Sequence, residues 1–239
     1  MNVLITGGAS GLGEAITRKA AALKTNRVFF TYNSSLSNAG AIEADFSNAF
    51  GIKCDFTRPD ELDNLLARMP ELDLDVLVHN AITGMSKKHF HKIETGTFLK
   101  SFQDNILPVV RLTQQALALF RKKKSGKIIT ILTSALISRP PIGWAEYVAN
   151  KAYLLSLSKS WAVENAGFNI TANCISPSFM QTAFTGDTDE RIVEEMIHAH
   201  PLKRLLTPEE VAEAVMFLMT APQHINGTNL IINAATDVI

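Results

Sequence analysis

Seven short apolar runs punctuate the chain, at residues 3–5, 28–30, 52–54, 76–78, 128–132, 170–174 and 230–232. They are rich in Val, Ile, Leu and Phe and lack polar alternation, the pattern of strands buried on both faces. Between them, apolar residues recur at helical spacing over 14–23, 38–49, 60–67, 97–123, 147–165 and 208–219. Strand and helix taking turns predict right-handed crossovers and a parallel sheet covered by helices on both faces. The expectation is an α/β protein: one doubly wound domain over 1–239, on about seven strands. Local signals mark some ends. Thr207-Pro208-Glu209-Glu210 offers an N-cap, a proline at the first helical position and acids in the first turn. Arg121-Lys122-Lys123-Lys124 puts cations at the carbonyl end of a long helix, readable as a solvated terminus or as a docking patch for an acidic protein.

The first run, Val3-Leu4-Ile5, passes directly into Thr6-Gly7-Gly8-Ala9-Ser10-Gly11-Leu12-Gly13 and then into the first helix. Strand, glycine turn and helix in that order make a phosphate site. The glycines allow a tight turn and close backbone approach, and the helix N-terminus presents free N–H groups. A P-loop is excluded, because no Lys-Ser/Thr follows the last glycine. In an open α/β sheet, ligands sit beyond the carboxyl ends of the strands. The chemically notable residues gather there: Gly7, Asn33, Asp55, Asn80 and Ser134 after strands one to five, and Thr182 beyond the sixth.

Composition narrows the field. Apolar residues make up 46% of the chain, enough for a substantial core, and 23 basic residues balance 23 acidic ones. That balance gives no overall footprint for nucleic acid or an anionic membrane. No apolar run approaches the length that spans a bilayer. The first strand is expected from residue 2, leaving no room for a signal peptide, and a cytoplasmic setting follows as an expectation. Cys54 and Cys174 are then expected reduced and buried.

A second constellation lies mid-chain. Glu146-Tyr147-Val148-Ala149-Asn150-Lys151 falls in a helical pattern, so Tyr147 and Lys151 share one face a turn apart. A phenol beside a cation is expected to lose its proton more readily than at its ordinary value near ~10. Such a pair suits acid–base work on a carbonyl or alcohol. Ser134 stands thirteen positions before Tyr147.

Thr6-Gly7-x-x-x-Gly11-x-Gly13, Ser134 and Tyr147-x-x-x-Lys151, in this order, resemble the short-chain dehydrogenase/reductase family over essentially the whole chain. Pro201-Leu202-Lys203-Arg204 and the Thr207 segment are similar to its 3-oxoacyl-carrier-protein reductases. The resemblance implies a Rossmann-type sheet and hydride transfer between a nicotinamide cofactor and a ketone or secondary alcohol, a 3-oxoacyl thioester among them. It implies four catalytic residues: Asn105, Ser134, Tyr147 and Lys151. Tyr147 would exchange the proton, Lys151 would lower the phenol's pKa and hold the nicotinamide ribose, and Ser134 would bond the substrate oxygen. Asn105, read as interior to the 97–123 helix, would hold a water linking Lys151 to solvent.

The same resemblance assigns cofactor contacts to Gly7, Ser10, Gly11, Leu12 and Gly13, and to Asn33, Ser34, Asn80 and Ala81. Tyr147, Lys151, Pro177, Met180 and Thr182 complete them at the nicotinamide end. Asp55 and Phe56 would hold the adenine, with a helix cap as the other reading of Asp55. Thr31-Tyr32-Asn33-Ser34-Ser35 carries no acid to repel a 2′-phosphate, so NADP is expected over NAD. Trp144, Phe179, Met180 and Phe184 are expected on the substrate wall, or in ordinary packing. The implied partners are a small carbonyl or alcohol substrate, a carrier protein and a second copy of the chain. A homodimer or homotetramer would pair the 97–123 and 147–165 helices. Lys127 matches one carrier-docking position beside the active-site entrance, whereas Phe168 stands where a second base is expected.

Three segments depart from the family: Asn80-Ala81-Ile82 lacks a glycine after alanine, Pro177-Ser178 replaces Pro-Gly, and Asn233-Ala234-Ala235 replaces Asn-Gly-Gly. His89-x-His91 and His198-x-His200 lack further ligands, so no metal is expected. The alternatives are a reductase of a free sugar, steroid-like or other small carbonyl, and a cofactor-binding sensor or scaffold without turnover. Binding alone needs no proton donor, which argues against the last.

Overall fold

Each apolar run forms a strand: β1 Asn2–Ile5, β2 Arg27–Tyr32, β3 Ala49–Lys53, β4 Val76–His79, β5 Gly126–Ile131, β6 Ile170–Pro177 and β7 Asn229–Ile232. In this computed structural model, which describes all residues but Ser138, Ala183, Asp187 and Ile239, they pair into one parallel sheet. The strand order is β3-β2-β1-β4-β5-β6-β7. The helices are α1 Gly11–Ala22, α2 Leu36–Asp45, α3 Pro59–Arg68, α4 Thr95–Asn105, α5 Leu107–Lys123, α6 Ala145–Asn165, α7 Glu190–Ala199 and α8 Pro208–Thr220.

The missing polar alternation in the strands has a direct cause. Leu4, Phe29, Leu77 and Ile128 face one way and pack with Leu65, Leu112, Phe120 and Trp161 of α3, α5 and α6. Their neighbours Val3, Val28, Val78 and Ile129 face the other way, onto Ile16, Ile42, Val215 and Leu218 of α1, α2 and α8. Side chains on a strand alternate between faces, so two apolar cores require apolar residues at every step.

Two expected helices are corrected and one is added. The 38–49 helix ends at Asp45, and Ala49 already opens β3. Between them Asn48 bonds Ala21 O at 3.0 Å and Asn26 O at 2.9 Å, which draws the chain back to the sheet edge. The single helix over 97–123 is two, α4 and α5, joined at Ile106. Pro108 has no N–H to continue the ladder from α4. Helix α7 was not anticipated; Asp189 caps it, accepting from Arg191 N at 2.9 Å. Thr207 caps α8 as expected, its hydroxyl accepting from Glu210 N while Glu210 accepts from Thr207 N at 3.0 Å.

The strand order reverses at β1, whose neighbours β2 and β4 send the chain in opposite directions across the sheet. A crevice opens at such a switch point. Thr6 Oγ1, just past β1, accepts from Asn80 N and Ala81 N, 3.0 Å each, and ties its two rims together.

Candidate active site

The glycine turn is built for close approach. Gly7 leaves β1 at φ 65°, a left-handed conformation in which a side chain would be strained. A Cβ on Gly13 would lie 1.9 Å from Gly7 O and 2.5 Å from Asn80 Nδ2. Ser10 takes the N-cap of α1 without a side-chain bond, so the positive end of the helix stays open. Gly13 thus lets α1 pack directly on the turn, and the open helix N-terminus beside the left-handed Gly7 and Gly11 fits a dinucleotide pyrophosphate.

From this turn a cleft of about 1200 Å³ runs across the strand ends to the segment after β6. Gly7, Ser10, Gly11, Leu12, Gly13, Asn33, Ser34, Asp55, Phe56, Asn80, Ala81, Ser134, Tyr147, Lys151, Pro177, Met180 and Thr182 all line it. Trp144, Phe179 and Phe184 line its far wall. At the near end, Asp55 Oδ1 accepts from Thr57 N at 2.9 Å and from Thr57 Oγ1 at 2.8 Å, a turn leading into α3. Burial raises the Asp55 pKa, but the bonds from Thr57 and from the Asn33 side chain outweigh it and hold the carboxyl below its ordinary range. One Asp55 oxygen thus serves this turn, but Asp55 is not the helix cap: Arg58 holds the N-cap of α3, without a side-chain bond.

At the far end, Thr133 and Ser134 follow β5, and Ser134 opens a 3₁₀ turn. Tyr147, in the first turn of α6, lies between Trp144 (ring centroids 5.4 Å apart, edge-on) and Phe184 (6.0 Å). Lys151 Nζ donates to Ile131 O at 2.7 Å, fastening α6 to the end of β5, and stands 5.7 Å from the Tyr147 ring centroid. Burial pushes the Tyr147 phenol up to about 12, partly offset by its bond to Thr133, and pushes Lys151 down to about 8. The expected lowering of the phenol by Lys151 is therefore reversed. The ammonium lies over the ring and donates to the Ile131 carbonyl instead of the phenol oxygen, and desolvation sets the direction of the shift. Tyr147 keeps its proton at neutral pH.

Asn105 is displaced from its expected place. It ends α4 rather than lying inside a long helix, and it does not line the cleft. Its Oδ1 accepts from Thr83 N at 2.7 Å, and its Nδ2 donates to Thr83 O and Ser101 O at 3.2 and 3.1 Å. The amide also borders a cavity of about 20 Å³ shared with Tyr147 and Lys151, room for about one water.

Residues 7–234 match the family model described as Enoyl-(Acyl carrier protein) reductase. The chain is 33% identical to the 3-oxoacyl-[acyl-carrier-protein] reductase MabA of Mycobacterium bovis, over 91% of this chain and 84% of that protein. It is 30% identical to the 3-oxoacyl-[acyl-carrier-protein] reductase FabG of Rickettsia bellii, over 96% and 94%. A solved short chain dehydrogenase/reductase family protein superposes with a TM-score of 0.84 at 28% identity, covering 97% of this chain and 95% of that one. The chain belongs to the short-chain dehydrogenase/reductase family. It is an NAD(P)-dependent oxidoreductase, of the class that moves hydride between a nicotinamide and a ketone or secondary alcohol.

The reductase absorbs its three unusual segments without losing the cleft. Gly84, two places after Ile82, supplies a left-handed turn at φ 57°. Ser178 N donates to Ile232 O at 2.8 Å and carries the sheet ladder on past Pro177. Ala234 and Ala235 take φ 51° and 59°, the backbone that Gly-Gly would adopt freely. Lys127 is corrected: it stands at the opposite end of β5 from Ser134, and its ammonium donates to Ala221 O. Two cations of the Arg121–Lys124 run are engaged within the fold, while Lys122 and Lys124 are exposed. Arg121 bonds Asn165 Oδ1 at 2.7 Å with its guanidinium 4.7 Å from the Phe168 ring centroid, and Lys123 pairs with Asp73 and Asp75.

Sequence reading missed the α7 wall of the cleft, Ile192 and Met196, and its rim at Lys87, Arg139, Thr236 and Asp237. The usable signal was Asp189 as N-cap before Ile192, Val193, Met196 and Ile197 at helical spacing. Among the described residues, no helix is long and apolar enough to cross a membrane, and no three His, Cys, Asp or Glu side chains gather as metal ligands.

Proposed function

We propose that this reductase takes NADP and reduces the ketone of a 3-oxoacyl thioester presented by a carrier protein. In this reading, residues 1–239 act as one binding and catalytic unit in a cytoplasmic homo-oligomer. The observation that carries the reading is a protonated, half-buried Tyr147 that lines one cleft with Ser134 and Lys151, the substrate side of which is apolar at Trp144, Phe184, Ile192 and Met196. MabA and FabG are named for reducing 3-oxoacyl groups on acyl-carrier protein. The free, buried thiols of Cys54 and Cys174 accord with a reducing compartment.

The bound nicotinamide supplies the hydride; the chain does the rest. The glycine turn holds the pyrophosphate, Asp55 and Phe56 the adenine, Asn80 and Ala81 the adjoining ribose, and Pro177, Met180 and Thr182 the nicotinamide end. Ser35 N-caps α2 without a side-chain bond, and no acid lies in the helix's first turn. With Asn33 and Ser34 alongside, that positive helix end suits a 2′-phosphate. Ser134 and Tyr147 donate to the carbonyl oxygen and stabilise the charge that develops there. Tyr147 passes its proton to the nascent alkoxide, and Lys151 stabilises the phenolate left behind. Asn105 borders the one-water cavity behind both, on the route by which the proton is replaced.

A carrier has a docking place other than Lys127. Lys87-Lys88-His89-Phe90-His91-Lys92 flanks the cleft mouth: Lys87 lines the cleft, Lys88 and Lys92 are exposed, and Phe90 is 70% exposed. Cations around an apolar centre suit an acidic protein surface.

The test follows NADPH and NADH oxidation with acetoacetyl-carrier, acetoacetyl-CoA, crotonyl-CoA and small free ketones. Turnover of the acetoacetyl thioesters with NADPH is expected, and Tyr147→Phe should lower it at least about 100-fold while cofactor affinity holds. Turnover confined to free ketones or to crotonyl-CoA would overturn the acyl reading. An active Tyr147→Phe enzyme would overturn the role of Tyr147.

A further inference from the structure

Glu146, immediately before Tyr147, is 3% exposed and takes no part in the steps above. A carboxylate is kept in an interior only where fixed donors meet it, and here two do. Oε2 accepts from the backbone N–H of Ser86 at 3.0 Å, and Oε1 accepts from the Ser101 hydroxyl. Ser101 Oγ also accepts from Asn150 Nδ2 at 2.8 Å, one turn further along α6. Ser101 O accepts from Asn105 Nδ2, whose Oδ1 holds Thr83 N. The loop over 82–87 is thereby bonded to α4 and α6 at both of its ends.

That loop has no regular secondary structure, and Ile82, Thr83, Gly84 and Lys87 line the same cleft as Tyr147, with Ile82 and Gly84 also bordering the small cavity beside it. Outside a regular ladder, the bonds from Asn105 and Glu146 side chains are what tie its backbone at Thr83 and Ser86 to the helices. Asn105 grips the Thr83 end. The Ser86 end is gripped by Glu146, from the helix that carries the proton donor. An apolar residue at 146 would fill the interior without burying a charge, but it could not accept from Ser86 N.

We propose that Glu146 is a positioning residue: it fastens the 82–87 loop to α6 and so sets where a substrate carbonyl comes to rest beside Tyr147. The inference goes beyond the acyl reading, because it holds for any carbonyl the cleft reduces. A small misplacement of reacting groups is expensive in rate, so the effect should appear in substrate use and not in cofactor binding.

Three variants test it: Glu146→Ala, Glu146→Gln and Ser101→Ala. Glu146→Ala should raise KM for the ketone substrate by about tenfold or more, leave cofactor Kd within about twofold, and let the Ser86 amide exchange freely with deuterium. Glu146→Gln keeps one acceptor oxygen and should recover part of the loss. Ser101→Ala keeps the Ser86 bond and should fall nearer wild type. Wild-type KM in a folded Glu146→Ala protein overturns the proposal, as does a Ser86 amide that stays protected. Should Glu146→Ala not fold, wild-type KM in both other variants overturns it. Ser86 exchange is measured without substrate, so it is read even where no acyl thioester is turned over.

Discussion

On the catalytic face of α6, burial acts on two neighbouring side chains with opposite sign: it retains the Tyr147 proton and loosens one on Lys151. The lysine carries a stability signature that can be measured. Unfolded, it stays charged up to about 10.5; folded, it loses its proton near about 8. Between those values the unfolded chain binds more protons, so stability rises with pH. The contribution is fully present above the unfolded value and is lost as pH falls through the folded one, on the order of 3 kcal/mol. Tyr147, Cys54 and Cys174 shift upward and weaken the fold at high pH; Lys151→Met shares the first two, and losing the Lys151 charge that lowers Cys174 moves the variant in the same direction as the lysine's own effect. In urea unfolding, wild type should therefore gain on Lys151→Met by up to about 3 kcal/mol between pH 7 and 10. A difference flat with pH would refute the assignment. Spacing alone made Ser134, Tyr147 and Lys151 legible in the chain. The direction of the phenol's shift was not legible, because a motif names a neighbour and says nothing of how much water the pair has lost.

Among the elements, the seven strands could be read because both faces of each are buried, which leaves a run of apolar residues too plain to miss. Helix α7 could not, for the converse reason: Val193 is its one buried residue among those described, and Ile192 and Met196 face the cleft instead of the core. The α4–α5 break was announced by Pro108 but hidden by apolar periodicity running through it. The turn after β7 shows how a departure from a motif is tolerated. Asn233 accepts from Ala235 N at 3.1 Å and donates to Asp237 O at 2.8 Å, and these bonds hold Ala234 and Ala235 left-handed. Left-handed alanine costs roughly 1–2 kcal/mol, and glycine's extra freedom when unfolded returns about 0.4–1 kcal/mol of that. Ala234→Gly and Ala235→Gly should each stabilise the protein by about 0.5–1 kcal/mol in denaturant titration. Destabilisation by both would show that the turn is not strained.

For the molecule as a whole, the apolar side chains left outside are as informative as those within. Helix α6 turns Tyr153 and Val163 outward, the latter 81% exposed, and Leu107 is exposed at the start of α5. These are the helices proposed to pair between copies. Light scattering after size exclusion should give a dimer or larger for wild type, and Val163→Asp should shift it toward monomer; a monomeric wild type would sink the pairing. The cleft, meanwhile, takes its walls from Gly7 at one extreme and from Thr236 and Asp237 at the other. A chain leaving the ribosome presents its pyrophosphate turn about 230 residues before the last of these walls, so the turn exists long before the cleft around it is complete. The dinucleotide therefore cannot chaperone the early stages of synthesis. A product stopped short of β7 would still display Tyr147 and Lys151, but it would lack a finished place for the ligand to hold.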